Sequence, residues 1–365
     1  MPTATLPRPS SVLPAAAAVE VRTLTGTALD ARLPALTAFA MSGGPHPLGR
    51  HPGWLTVLRD GLGHRTHAVE ATEGGRTVGY LPLGFVSSVL FGKFLVSLPY
   101  LNSNGVIAAD PAIRGRLIDA AVELADRLDA KHLELRHEEP TPHPALTATL
   151  TSKVHMRLPL PGDPDTLWKQ FDAKVRNQVR KGEKSDLAVA WGGADLLDPF
   201  YAVLCRNMRD LGTPVFGRRL FERILATFPG DAELCVVTAG GKPCAAALLL
   251  HGPGVTEVPT ASSLREFNAT CCNMLLYRHL LDRAVARKQA VFDFGRSTAD
   301  GPTFKFKKQW GAVPHPATWQ YYVRRGEVGE MRPDNPKYDR LIRAWQKLPV
   351  GVTRVLGPRI VRGIP

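Results

Sequence analysis

ELCVVTAGGKPCAAALLLH, residues 233–251, decides the fold class. Two apolar, β-favouring runs flank Gly240-Gly241, and a two-glycine turn between such runs makes a hairpin. Outward from it, residues 256–261 extend the same sheet and residues 268–288 have helical spacing. Residues 290–294 form a short strand ending at Gly295. Upstream lie helices over 198–212 and 218–228 and a strand over 187–190. A similar order occurs earlier in the chain. A helix around 54–58 leads to strands over 66–71 and 77–83, joined at Glu73-Gly74-Gly75-Arg76. The apolar stretch SSVLFGKFLVSLPY (87–100), a helix over 113–128, capped by Asp110-Pro111, and a strand over 132–136 follow. Helix, hairpin, strand, helix, strand therefore occurs twice, as a repeat of architecture and not of sequence. Mixed sheets with helices on their faces satisfy this pattern, so the expected fold class is α/β with α+β mixed sheets.

The remaining segments fit around that repeat. Residues 1–18 read as a floppy leader. The Pro-rich passage 139–144 separates a first domain, 19–150, from a second, 151–365. Within the second, 154–160 and 319–324 read as strands, 165–182 as a basic helix and 338–348 as a helix.

The chain has 365 residues, 44% of them hydrophobic, which is enough for two cores without disulfide or metal staples. Lys and Arg number 46 against 33 Asp and Glu, a net charge of +13 that favours anionic partners. The five cysteines form no CxxC and no zinc spacing, so they read as buried free thiols of a reducing compartment. The proline-broken N-terminus is not a convincing signal peptide, and nothing approaches the ~20 apolar residues of a spanning helix. Gx(4)GK[ST], HExxH and GxSxG are all missing, which argues against P-loop, zincin and α/β-hydrolase chemistry.

Chemistry concentrates in FDFGRSTADGPTFKFKKQWG, residues 292–311. A strand ends in Asp293, Gly295, Arg296, Ser297 and Thr298. Beyond a short loop, aromatic and lysine residues alternate through Phe304, Lys305, Phe306, Lys307 and Lys308. An extended backbone would put Lys305 and Lys307 on one face; a helix would gather the lysines in a crescent. Either arrangement expects ammonium groups to converge beside small polar residues, where phosphates or an anionic acyl carrier could bind. Arg296 suits a bidentate contact to phosphate or carboxylate. A second polar group precedes and opens the long helix: Ser262, Ser263 and Arg265 in a turn, Asn268 as a cap, then Asn273 and Tyr277 four apart. A third, KVRNQVRKGEK at 174–184, reads as a solvated basic face that a nucleic-acid backbone would also suit.

These residues resemble a family. HPGW (51–54), GYLPL (79–83), SVLFGKFLVSLPY (88–100), NMRDLGTPVF (207–216), ASSLREFN (261–268), NMLLYRHLL (273–281), FDFGRST (292–298), FKFKKQWGA (304–312), NPKY (335–338) and LGPRIVRGIP (356–365) carry the likeness. It is to FemAB-related proteins associated with PEP-CTERM and exosortase systems, within the Fem-type peptidyltransferase-like group. The resemblance implies tandem GNAT-like acyltransferase domains of Fem type. It also implies transfer of an activated acyl or aminoacyl group to an amine, in cell-envelope or exopolysaccharide biosynthesis. The donor would be acyl-CoA or aminoacyl-tRNA, with no metal. The acceptor would be a lipid-linked or sugar-linked amine. The expected setting is the cytoplasm, with tRNA as a further partner and room for peripheral contact with the inner membrane. Lys305, Lys307, Arg296 and Ser297 are expected to hold donor phosphates or developing charge. Asp293 would orient one of these cations or take the amine proton, and Ser262, Ser263, Arg265, Asn273 and Tyr277 would shape the acceptor pocket. The rival expectation is a non-catalytic scaffold in the same assembly, since fold alone does not imply activity.

Overall fold

The computed structural model describes residues 18–328 and 339–364. All but the last residue of the expected leader, and the NPKY segment, lie outside them. The first half contains β1 (Val19–Thr25), α1 (Gly26–Ala40), α2 (Gly53–Leu62), β2 (Arg65–Glu73), β3 (Arg76–Ser88) and β4 (Gly92–Val96). The two-residue β5 (Ile107–Ala108), α3 (Pro111–Arg127) and β6 (His132–His137) complete it. There follow β7 (Ala148–Pro159), α4 (Pro164–Gln170), α5 (Ala173–Glu183), β8 (Leu187–Gly192), α6 (Leu197–Leu211) and α7 (Arg218–Thr227). Next come β9 (Ala232–Ala239), β10 (Lys242–His251), β11 (Val255–Ser263), α8 (Cys272–Ala286), β12 (Val291–Thr298) and α9 (Pro302–Lys308). The chain closes with β13 (Val313–Val323), α10 (Asp339–Gln346) and α11 (Val350–Val361).

All strands join one sheet, ordered β1-β2-β3-β4-β6-β13-β7-β12-β11-β10-β9-β8, with β5 beside β3. The repeat is explicit in this order. β1-α1-α2-β2-β3-β4-α3-β6 and β8-α6-α7-β9-β10-β11-α8-β12 have the same succession of elements. Each makes an antiparallel run of four strands and then adds its last strand in parallel, β6 on β4 and β12 on β11. β13 and β7 bridge the two units. The boundary expected at residue 150 thus falls inside β7.

Burial explains the layers. On one face the helix pairs α1-α2 and α6-α7 share a single core, with Trp54 and Phe228 rings 5.2 Å apart. A side chain at Gly61 would place its Cβ 3.2 Å from Leu220 Cα, so glycine there permits the close approach of α2 to α7. Other apolar clusters lie beneath α3 and beneath α8. Burying such surface contributes roughly 25 cal/mol per Å², which exceeds any single hydrogen bond over a whole helix face.

Three local readings change. The 15-residue α1 is absent from the sequence reading. The single helix expected over 165–182 is two, because Phe171 turns extended to bury its ring edge-on against Trp310 at 5.1 Å. The long helix begins at Cys272 and not at Asn268, after a short 3-10 turn over Arg265–Thr270. Of the two arrangements open to the aromatic–lysine run, the helix forms, started by Pro302, so Phe304 and Lys307 face inward while Lys305 and Lys308 face solvent.

Candidate active site

β11 and β12 share three residue pairs, Val255–Val291, Thr256–Phe292 and Glu257–Asp293. Beyond the last, β11 continues against β10 and β12 against β7, so the parallel strands fork. A fork leaves edge amides and carbonyls between two strands available to a ligand, at the carboxyl ends where α/β proteins place their sites.

Two carboxylates stand side by side at the fork. Asp293 is buried; its Oδ2 accepts from Arg157 Nε at 2.9 Å and its Oδ1 from the Gly295 N–H at 2.7 Å. Arg157 in turn grips Glu138 with both terminal nitrogens, at 2.8 and 2.6 Å. Burial works to raise the Glu138 pKa, but the bonds and charge of Arg157 outweigh it and hold the carboxyl below its ordinary range. The Ser103 hydroxyl donates to the same carboxylate at 3.0 Å. Glu257 behaves differently. It is half-buried, and its Oε2 accepts one N–H, from Gly49 at 3.2 Å. Burial first, and the neighbouring Asp293 charge second, push its pKa up to about 8. It can therefore take or release a proton near neutral pH.

Both halves of the chain build this spot. Gly49 lies in a 3-10 turn, Leu48–Arg50, tied by Trp54 Nε1 to Leu48 O at 3.0 Å and by Asn104 Nδ2 to Gly49 O. His155, on β7, is buried with its Nδ1 3.9 Å from Asp293 Oδ2. Burial lowers its pKa against the pull of Asp293 and Glu138.

Lys307 closes the lower edge of the fork. Its ammonium donates to Gly295 O at 3.0 Å and Arg296 O at 3.1 Å, and burial lowers its pKa to about 8 despite Asp293. Gly295 adopts φ +76°, and a Cβ there would meet Asn102 Nδ2 at 3.3 Å. The Arg296 guanidinium lies 3.6 Å from the Trp319 ring centre, with Arg136 at 4.0 Å from the same ring. Arg136 is fixed by Glu134 at 2.6 Å and Leu101 O at 2.7 Å. Ser297 is buried, and its hydroxyl has no hydrogen-bond partner among the described residues.

A cleft of about 780 Å³ opens over the same sheet face at the junction of the halves. Val255, Val291 and Pro159 line it beside the Arg157–Glu138 pair, and Arg50, Arg114, His46 and His315 stand around it. Side chains two apart on a strand share a face, so Glu257 and Asp293 lie on the cleft side of β11 and β12. Arg157 is committed to Glu138 and Asp293, which leaves Arg50 and Arg114 as the cleft cations that an anionic group could meet.

The sequence-predicted residues divide accordingly. Asp293, Arg296, Ser297 and Lys307 gather around the fork. The expected convergence of lysines is corrected: Lys307 is buried against backbone carbonyls while Lys305 is exposed, because helical spacing sends them to different faces. Ser262 is buried and accepts from Asn207 Nδ2 at 3.1 Å. Ser263 and Asn273 are half-buried and Arg265 is exposed. Tyr277 packs in an aromatic cluster, 4.9 Å from Phe306 and 5.7 Å from Phe294, and burial raises its phenol pKa. Glu257, Arg157, Glu138 and Gly49 escaped the sequence reading. The available signal was a charged residue interrupting each of two apolar strands, VTEVP and VHMRL. Among the described residues no group of three or more His, Cys, Asp or Glu is placed to hold a metal ion.

Comparisons with known proteins bear on the fold and the domain type. Residues 169–308 match the family described as "Acetyltransferase (GNAT) domain". No curated protein matches the chain. Among solved structures, a FemX is similar at TM-score 0.63 and 15% identity, over 83% of this chain and 97% of that one. A tandem GNAT protein from the clavulanic acid biosynthesis pathway aligns at TM-score 0.54 and 14% identity, over 85% and 100%. The L-PGS from Bacillus licheniformis aligns at 0.53 and 13%, over 88% and 96%. The chain thus has a mixed α/β fold with a GNAT acetyltransferase domain and a second, structurally similar unit. The domain match supports enzymatic acyltransferase activity.

Proposed function

We propose that this protein transfers an activated acyl or aminoacyl group to an amine at the β11–β12 fork, with Glu257 accepting the amine proton. The observation that carries this reading is the Glu257–Asp293 pair at the last rung before the strands part. An amine must lose a proton as it attacks, and a carboxylate with a pKa of about 8 takes it near neutral pH. The nitrogen then bonds to the donor carbonyl carbon. The carbon's bond to the carrier's sulfur or oxygen breaks, and the departing carrier atom receives the proton that Glu257 took, which restores the carboxylate.

Asp293 takes the orienting role, since both its oxygens already accept hydrogen bonds. It fixes Arg157 and keeps Glu257 basic by its charge. Arg296 and Ser297 face charge developing at the carbonyl, and Lys307 holds the backbone that presents them. Lys305, exposed on α9, meets the phosphates of the donor, acyl-CoA or aminoacyl-tRNA. The cleft with Arg50 and Arg114 takes the acceptor, an amine on a phosphate-bearing sugar or lipid carrier, with Ser262, Ser263, Arg265 and Asn273 shaping the far side of the acceptor path and Tyr277 backing the fork from the core. The first half, 19–150, supplies Gly49 and much of the acceptor cleft, and the second, 151–365, the carboxylates at the fork. No described helix is long and apolar enough to cross a membrane, and we assign the reaction to the cytoplasm. The envelope or exopolysaccharide setting, with its exosortase link, rests on the sequence resemblance alone.

The test is a transfer assay of the purified chain with labelled acyl-CoA or aminoacyl-tRNA and a panel of amine acceptors. Glu257→Gln should abolish turnover while donor binding persists, and Lys305→Ala should weaken donor binding. Full turnover by Glu257→Gln sinks the assignment. Binding without turnover by the unaltered chain, across all donors and acceptors, moves the scaffold reading to the front.

A further inference from the structure

The last two helices carry an outer surface unlike the rest of the molecule. Residues 339–364 hold six basic side chains and one acid, Asp339. Ile342 packs on Gly212 and Gly357 on the Val215 backbone, which fixes α10 and α11 against α6 and the loop after it. Thr353, Gly357 and Val361 form the inward stripe of α11. Its outward side carries Val352, Val355 and Leu356, then Arg359 and Arg362.

This stripe is continuous with the β3–β4 turn, because Gly363 lies against Ser88. The Ser88 hydroxyl accepts the N–H groups of Leu90 and Phe91, at 3.2 and 3.3 Å. The turn so held projects Val89 and Leu90 into solvent, at 106% and 78% exposure. Exposed apolar side chains gathered in one place mark an interaction site. Here they are interleaved with cations. A purely apolar protein partner would leave those cations unmatched, and a soluble polyanion would leave the apolar tips in water. A lipid–water boundary satisfies both: apolar tips enter the acyl region while arginines meet headgroup phosphates.

We infer that α10, α11 and the β3–β4 turn form a docking face for an anionic lipid bilayer. The face is linked to the fork by one loop. Tyr100 donates to Arg362 O at 2.8 Å, and Asn102, two residues on, lies against Gly295. None of the docking residues lines the cleft, so the inference stands apart from the transfer reaction.

The test is co-sedimentation of the full chain with vesicles of phosphatidylcholine containing about 30% phosphatidylglycerol, against phosphatidylcholine alone. Binding to the anionic vesicles should be roughly tenfold stronger and fall with salt. Val89→Asp with Leu90→Asp should weaken it several-fold, and Arg340→Glu with Arg343→Glu should remove the anionic preference. Circular dichroism checks that both variants stay folded, as these exposed positions allow. Equal binding to both vesicle types, no binding, or binding indifferent to both variants overturns the proposal. So does a dimer of the unaltered chain that Val89→Asp with Leu90→Asp dissolves, which would assign the face to a second copy. Transfer between soluble substrates should be unchanged in both variants, which separates this result from any failure of the transferase reading.

Discussion

The molecule contains two parallel strand pairs built by the same succession of elements, and their last rungs differ. β4 meets β6 over Phe94–His132, Leu95–Leu133 and Val96–Glu134, and β11 meets β12 over Val255–Val291, Thr256–Phe292 and Glu257–Asp293. At the last rung the first pair sets a valine beside a glutamate, and that glutamate bonds Arg136 at 2.6 Å. The second sets two carboxylates together. The segment after β4 also stitches its fork closed. The Ser97 N–H donates to Glu134 O, the Arg136 N–H to Ser97 Oγ, and the Asn104 N–H to Arg136 O, at 2.9, 2.8 and 2.9 Å. After β11 the chain turns away toward α8, and Gly295 and Lys307 shape the gap. One rung and one loop thus convert a repeated scaffold into a closed unit and an open one.

The comparison breaks most sharply at the carboxylates. Glu257→Gln should cut transfer by about 10²–10⁴-fold, the range for loss of a general base. The unaltered rate should rise as pH passes through about 8, and Glu257→Gln should flatten that rise. Glu134→Gln in the other fork should leave the shape of the pH profile intact. Stability follows the opposite course. A carboxyl raised on folding contributes stability below its ordinary value of 4.5, and the contribution is lost as pH rises through about 8. Urea titrations across that window should show the slope in the unaltered protein and a shallower one in Glu257→Gln.

Arg157→Ala leaves Asp293 buried without its cation and should cost about 3–5 kcal/mol in chemical denaturation. Retention of full stability would show that the Glu138–Arg157–Asp293 chain is dispensable. Gly295→Ala forces a side chain into a left-handed backbone position and against Asn102, so a loss of about 1–2 kcal/mol is expected together with reduced transfer. The smallest effect belongs to the closed fork. Ser97→Ala removes one acceptor from its stitching and should cost about 1 kcal/mol with transfer unchanged. A larger loss of transfer there would mean that the first fork also takes part.

Much of the fold was legible because its signals are local. Gly240-Gly241 and Gly74-Gly75 mark two hairpins, Asp110 caps α3 with its side chain on the Ala112 N–H at 2.7 Å, and apolar spacing announces α8. The site was half legible. Polar residues crowd the end of β12, so Asp293, Arg296, Ser297 and Lys307 stood out. Their partners did not, since Arg157 and Glu138 lie 136 and 155 positions upstream of Asp293, and no local pattern ties them together. Lys305 and Lys307 show the same limit, because their different surroundings depend on which face of α9 the core covers.

The sequence by itself determined the doubled α/β architecture, the basic character and the crowding of polar residues at the end of β12. Those follow from turn chemistry, periodicity and composition, which act over a few residues at a time. Tertiary structure alone decided that Glu257 stands beside Asp293, that Gly49 from the other half donates to it, and that one fork is closed and its counterpart open. A carboxyl's proton affinity depends on burial and on neighbouring charge, and both are set by strands and loops that meet only when the chain has folded.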